Sequence, residues 1–182
     1  MAKINILVTL DVEFIVHEKK FSPEPELSQQ YNIADHIMLI DYEQAIIKKQ
    51  LTSQAGGSLN IPYAKKGDSI EWHVVSLSKY DATHFIALKH YKKTSNTKYL
   101  DEPSVKYLTR HMPIASDNEN PTTLVVKSVL GDYWTAEVTE DTHGLPEDYV
   151  ATFVIYDKKG KKAVGYCQWE HKITLGSKQV AD

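Results

Sequence analysis

The sequence predicts an all-β fold: an antiparallel β-sandwich, jelly-roll-like, in a single domain spanning 1–182. Three observations carry this. Short runs of β-branched, aliphatic and aromatic residues recur along the chain. Polar turns holding Gly, Asp or Pro separate them at close spacing. No stretch sustains the 3.6-residue period of a long amphipathic helix.

The elements follow in order. INILVTL, residues 4–10, is dense in aliphatic residues and reads as a first strand. HEKKFSPEPELSQQYN, from His17, has two prolines and no period, and reads as a loop with one helical turn near Leu27. HIMLIDYEQAIIK, from His36, reads as a strand followed by a second short one. Gly56-Gly57 closes a polar turn. Leu59, Ile61 and Tyr63 then share one parity, and Gly67-Asp68 supplies a turn. Ile70, Trp72 and Val74 alternate with Glu71, His73 and Val75. Thr83 to Tyr91 is a further strand.

Residues 92–121 are polar and carry Pro103, Pro113 and Pro121, so they read as a long polar loop excursion. TTLVVKSV and YWTAEVTE read as two strands joined through Gly131-Asp132. The chain closes on a hairpin from Tyr149 to Leu175, turned at Asp157–Gly160 with a glycine suited to positive φ.

Within that hairpin, GYCQWEHKITL gathers a thiol, an indole, an imidazole, an amide and a carboxylate. Strand periodicity separates them. Gly165, Cys167, Trp169, His171, Ile173 and Leu175 share one face, and Tyr166, Gln168, Glu170, Lys172 and Thr174 the other. This is the pattern of a half-buried strand. Burying Trp169 and Ile173 is worth about 2–3 kcal/mol each. Cys167 then reads as a small core residue rather than a nucleophile.

Composition narrows the function classes. The formal net charge is -3 and the basic residues are scattered in turns, which gives no support for nucleic-acid binding. The single cysteine excludes an internal disulfide and suits a reducing cytoplasm, with export by a route lacking a signal peptide left open. No apolar run reaches the length of a membrane span. Asp11 and Glu13 interrupt the first apolar run before it resembles a secretory signal.

Three segments carry a family resemblance. NILVTLDVEFIV opens the chain, GSLNIPYAKKGDSIEWHVVSLS forms its middle, and YVATFVIYDKKGKKAVGYCQWEHKITL closes it. In order and spacing these resemble the bacterial inclusion body protein family, the PixA/AidA-like group. The resemblance implies a compact β-sandwich without established enzymatic activity. It also implies abundant bacterial expression, cytoplasmic crystalline inclusions and quorum-sensing-linked control. The inclusion-forming type is rich in methionine, whereas this chain has three Met.

Each candidate site has a competing structural role. Asp11, Glu13 and Asp35, with Asp41 and Glu43, cluster near strand ends where loop oxygens could hold Ca²⁺. Turn chemistry and solubility explain the same residues. The DNEN run at 117–120 is read the same way. Asp35 and His36 could anchor a divalent metal, but HExxH and CxxC spacings are absent. Tyr63, Trp134 and Tyr166 could line a groove for carbohydrate or a small molecule, each offering an apolar face and a polar tip. Their competing role is as core anchors. No GxSxG motif or phosphate loop is present. The expectation is a non-enzymatic, self-associating protein of bacterial adaptation or host interaction. A homodimer without cofactor is favoured, with its interface at sheet edges and at 92–121. The alternative is a lectin-like or small-ligand-binding module, Ca²⁺-assisted.

Overall fold

The computed structural model describes residues 1–47, 53–77, 83–94, 99–115, 124–140 and 144–176. The strands are β1 (Lys3–Leu10), β2 (Ile37–Asp41), β3 (Ser53–Ala55), β4 (Ser58–Ile61) and β5 (Ser69–Ser76). They continue with β6 (His84–Lys93), β7 (Ser104–Ala115), β8 (Leu124–Glu137), β9 (Glu147–Asp157) and β10 (Ala163–Leu175). One sheet has the order β3-β2-β1-β5-β8-β7 and the other β4-β10-β9-β6.

The fold is mostly β, and both sheets are mixed. β1 runs parallel to β5, with Ile6 beside Trp72, and β4 runs parallel to β10, with Leu59 beside Ile173. The strand orders therefore differ from the antiparallel, jelly-roll-like arrangement expected from the sequence. The reason is physical: periodicity reports which face of a strand is covered, and it is blind to the direction of the neighbouring strand.

One core lies between the sheets. Ile6, Val8 and Trp72 come to it from the first sheet, and Phe153, Ile155 and Trp169 from the second. Tyr91 joins the layers, with its ring edge-on to Trp72 at 4.9 Å and stacked on Trp169 at 5.9 Å.

Local chemistry explains the shorter elements. After β1, Asp11 accepts from the backbone N–H groups of Glu13 and Phe14 and caps a short helix, α1 (Val12–His17). The helical turn expected near Leu27 is a 3₁₀ turn over Pro25–Gln30. The second short strand expected after Asp41 is instead a wide helical turn, Glu43–Ile47, whose start is held by the Asp41 carboxylate through Gln44. Gly160 adopts φ +65°, as its place in the closing turn requires.

Two larger corrections concern 92–140. Most of the described residues in the expected polar excursion are strand: β6 runs to Lys93, and Ser104–Ala115 is β7. Residues 95–98 and 116–123, including the DNEN run, lie outside the described residues. The strands expected on either side of Gly131-Asp132 are a single strand, β8. Leu108 pairs with Gly131 and Tyr107 with Asp132 in an unbroken ladder.

Candidate interaction surface

β7 and β8 form a long antiparallel ribbon, in register from Ser104↔Thr135 to Ala115↔Leu124. β5 holds only its base, along Ser69↔Glu137 to Trp72↔Trp134. Past that point, no described strand flanks β8 opposite β7. Directly opposed residues share a face. The inner face therefore continues from buried Trp134 and its neighbour Val105 to Tyr107, Leu130, Val126 and Leu124. The outer face carries Leu108, Val129, Met112 and Val125.

Both faces are apolar and open. The four inner residues beyond Val105 are 60% to 70% exposed, and the four outer ones 42% to 46%. A two-stranded ribbon is marginally stable alone in water, and a contiguous exposed apolar patch marks a site of interaction.

The charges divide unevenly between the faces. Lys106, Arg110 and Lys127 fall on the outer face by register, and Asp132 on the inner one. At the ribbon base a groove of about 510 Å³ is lined by Asn5, Leu7, His73, Val75, Arg110 and Asp132. Arg110 Nη2 donates to His73 Nδ1 at 3.2 Å, and the His73 ring stacks on Tyr133 at 5.3 Å. Burial pushes the His73 pKa down, the Arg110 charge adds to this, and Glu71 opposes it. The imidazole is thereby kept neutral as the acceptor for Arg110.

The expected ligand residues are dispersed. Trp134 is buried, with its Nε1 donating to Leu88 O at 3.3 Å, so it serves as a core anchor and not as a groove wall. Tyr63 donates its hydroxyl to both oxygens of buried Asp41, at 2.6 and 2.7 Å. Burial, and then the bond to Asp41, raise its pKa. Tyr166 lies on the outer side of β10 beneath the Lys89 ammonium, 5.4 Å from its ring centre. Strand parity sets Tyr166 on the opposite face from Trp169.

The expected metal ligands are also apart. Asp11 is the α1 cap. Glu13 accepts from the backbone of Thr83 and from His84, whose Nδ1 lies 3.1 Å away. Burial works against the Glu13 carboxylate, but the bonds from His84 and Thr83 outweigh it and hold its pKa below the usual range. Asp35 is exposed on its own 3₁₀ turn. Among the described residues no three His, Cys, Asp or Glu side chains converge on a point that could hold a metal ion.

The closing strand is a wall of the core. Cys167, Trp169 and His171 are buried in alternation with partly or fully exposed Gln168 and Glu170. Burial pushes the Cys167 thiol up to about 12. His171 stacks on Trp169 at 3.9 Å, its Nε2 meets the Tyr91 hydroxyl at 2.8 Å, and burial pushes its pKa down to about 3. A thiol pushed up to about 12 and an imidazole pushed down to about 3 are mismatched for proton transfer from one to the other.

Comparison with known proteins adds the family. The model of the PixA family, described as inclusion body protein, matches residues 2–175. The chain belongs to the PixA inclusion body protein family. Among solved structures it is similar to a PixA-family inclusion body protein from Burkholderia cenocepacia J2315. The two are 13% identical, with a TM-score of 0.65 over 96% of this chain and 95% of that one. At this identity the likeness bears on the fold. Comparison with curated proteins gives no match.

For this PixA-family chain, the sequence points to an interface at sheet edges and at 92–121 but does not reveal the ribbon. A signal was available. SVKYLTRHM and LVVKSVL carry apolar side chains at both parities, which a strand covered on one face does not. Arg110 is the only arginine in the sequence.

Proposed function

We propose that this PixA-family protein works without catalysis, by associating with further copies of itself in the cytoplasm. By family resemblance, that assembly serves bacterial adaptation or host interaction under quorum-sensing-linked control. The observation that carries the reading is the β7–β8 ribbon, whose apolar side chains are open on both faces. The fates of Cys167 and His171 support a non-enzymatic role, because both are committed to the core. No helix among the described residues is long and apolar enough to cross a membrane.

The test is light scattering coupled to size-exclusion chromatography over a concentration series, with Ca²⁺ and then with EGTA. A dimer or larger species indifferent to EGTA is expected. A monomer at every concentration overturns the reading.

One observation favours a second reading, a polar-ligand groove on the outer side of β9 and β10. Gln168 Oε1 is buried with no partner among the described residues. It lines a cavity of about 670 Å³ together with Asn32, Asp148, Glu170 and Lys172. The cavity is polar enough for a carbohydrate. Glycan-array binding that Gln168→Ala abolishes would support this reading, and an array with no bound glycan would remove it.

A further inference from the structure

We infer that two copies join by packing the inner faces of their β7–β8 ribbons against each other, each ribbon supplying the layer that the other lacks. The inference rests on the self-association reading and specifies its geometry.

The inner face is where a layer is missing. At the ribbon base, Trp134 is covered by the second sheet: its ring meets Tyr91 of β6, and its Nε1 reaches Leu88 O. Past Val105 the same face runs on through Tyr107, Leu130, Val126 and Leu124 with no described element over it. A sheet buries its apolar face against a second layer about 10 Å away, and a second copy of the same face is such a layer.

The other modes of self-pairing are opposed by charge and backbone chemistry. Packing outer face to outer face would bring Lys106, Arg110 and Lys127 of both copies together. The ribbon has two open edges: β7 carries two of these cations and Pro113, a residue with no N–H to donate, and the part of β8 beyond β5 carries the third, Lys127, so pairing through that edge is the mode opposed least. The distal inner face has none of these obstacles. Its only carboxylate, Asp132, lies near the base, and at its centre His111 Nδ1 and Ser128 Oγ are hydrogen-bonded at 3.0 Å.

Area agrees with a second copy as the occupant. At the observed exposures the inner residues, polar and apolar together, present on the order of 700 Å², close to the ~800 Å² per partner of a stable dimer, and the four apolar ones alone present on the order of 500 Å². The contact is isologous, so one apolar surface serves both sides and the dimer closes on itself.

The test compares two double variants by light scattering. Val126→Lys with Leu130→Lys charges the inner face, and Leu108→Lys with Val129→Lys charges the outer face. Near-ultraviolet circular dichroism checks that the core tryptophans are undisturbed. If the inner pair perturbs that signal, Tyr107→Ser replaces it. The expected result is a dimeric parent, a dimeric outer variant, and an inner variant at monomer mass with affinity reduced at least about a hundredfold. Dissociation by the outer pair, by both pairs or by neither overturns the face assignment and leaves self-association standing. A monomeric parent overturns both.

Discussion

The closing hairpin β9–β10 and the ribbon β7–β8 are both long antiparallel pairs, yet they differ in what covers them. β6 flanks β9, β4 flanks the end of β10, and Ser22 and Asn32 bridge to Tyr166 and Gln168 along the rest of its edge. One face of the hairpin lies on the core. Burial along β10 therefore alternates residue by residue, from Gly165 to Leu175. The ribbon has no such cover, and its apolar residues stand exposed at both parities. The difference teaches that a period of two in hydrophobicity is the imprint of a covered face. A strand with two open apolar faces does not carry it.

The largest test of the contrast is Trp169→Ala against Leu130→Ala. Trp169 is fully buried, stacks on His171, and donates its Nε1 to Gly56 O at 2.6 Å. Removing it leaves a cavity and an unpaired carbonyl, at an expected cost of about 3–5 kcal/mol. Leu130 is mostly exposed, and at concentrations where the chain is monomeric its truncation should cost under about 1 kcal/mol. Urea denaturation measures both. Similar losses would erase the distinction between covered and open strands.

Acid sharpens the same comparison, because the hairpin buries an imidazole. His171 titrates near 3 in the fold, against 6.5 for an ordinary histidine, because burial disfavours its charged form. Below about pH 6.5 the unfolded chain takes up a proton that the folded chain refuses. Stability from this group is thus present above pH 6.5. It falls by about 1.4 kcal/mol per pH unit toward pH 3, where the loss levels off. His171→Gln should flatten the stability profile between pH 6.5 and 3. Parallel profiles for the parent and the variant would show that the imidazole is not buried neutral.

Legibility in the sequence followed cover. The closing hairpin, its turn and the inward set of Cys167, Trp169 and His171 could be read directly, since one face is buried throughout. The β7 half of the ribbon reads as a loop and the β8 half as two strands, because Pro113 and mixed parity mask β7 and Gly131-Asp132 imitates a turn within β8. The parallel pairings β1–β5 and β4–β10 left no mark in periodicity. The acidic residues near the first strand were legible as local chemistry but not as partners. Asp11 caps a helix one residue further on, while Glu13 reaches Thr83 and His84, distant in sequence. Trp134 is ambiguous between core and surface in the sequence, because its burial depends on β8 running unbroken through Gly131.

Asp11→Ala is a smaller test. It removes the acceptor for two N–H groups at the start of α1, and a lost cap costs about 1 kcal/mol. α1 buries Val12 and Ile15, so the loss should appear as a lower denaturation midpoint. Asp11→Asn should restore most of it, because an amide oxygen caps as well. If Asn fails to rescue, the carboxylate's charge matters more than its capping bonds; if Ala costs nothing, the short helix is held chiefly by its buried face.

The smallest expected effect is Val129→Thr on the outer face of the ribbon. Thr keeps the β-branched shape and strand preference of Val and exchanges one methyl for a hydroxyl. Where the site is covered, that hydroxyl loses water and needs a partner; where it is open, water serves. At 45% exposure Val129 should tolerate the change within about 0.5 kcal/mol. The association measured by light scattering should also be unchanged, since Val129 lies opposite the proposed contact face. The same substitution at Val154, buried on β9, should cost more, because its hydroxyl has no water to bond. A loss at Val129 equal to that at Val154 would mean that both faces of the ribbon are covered in the folded protein. The ribbon would then be held between partners on two sides rather than paired through one.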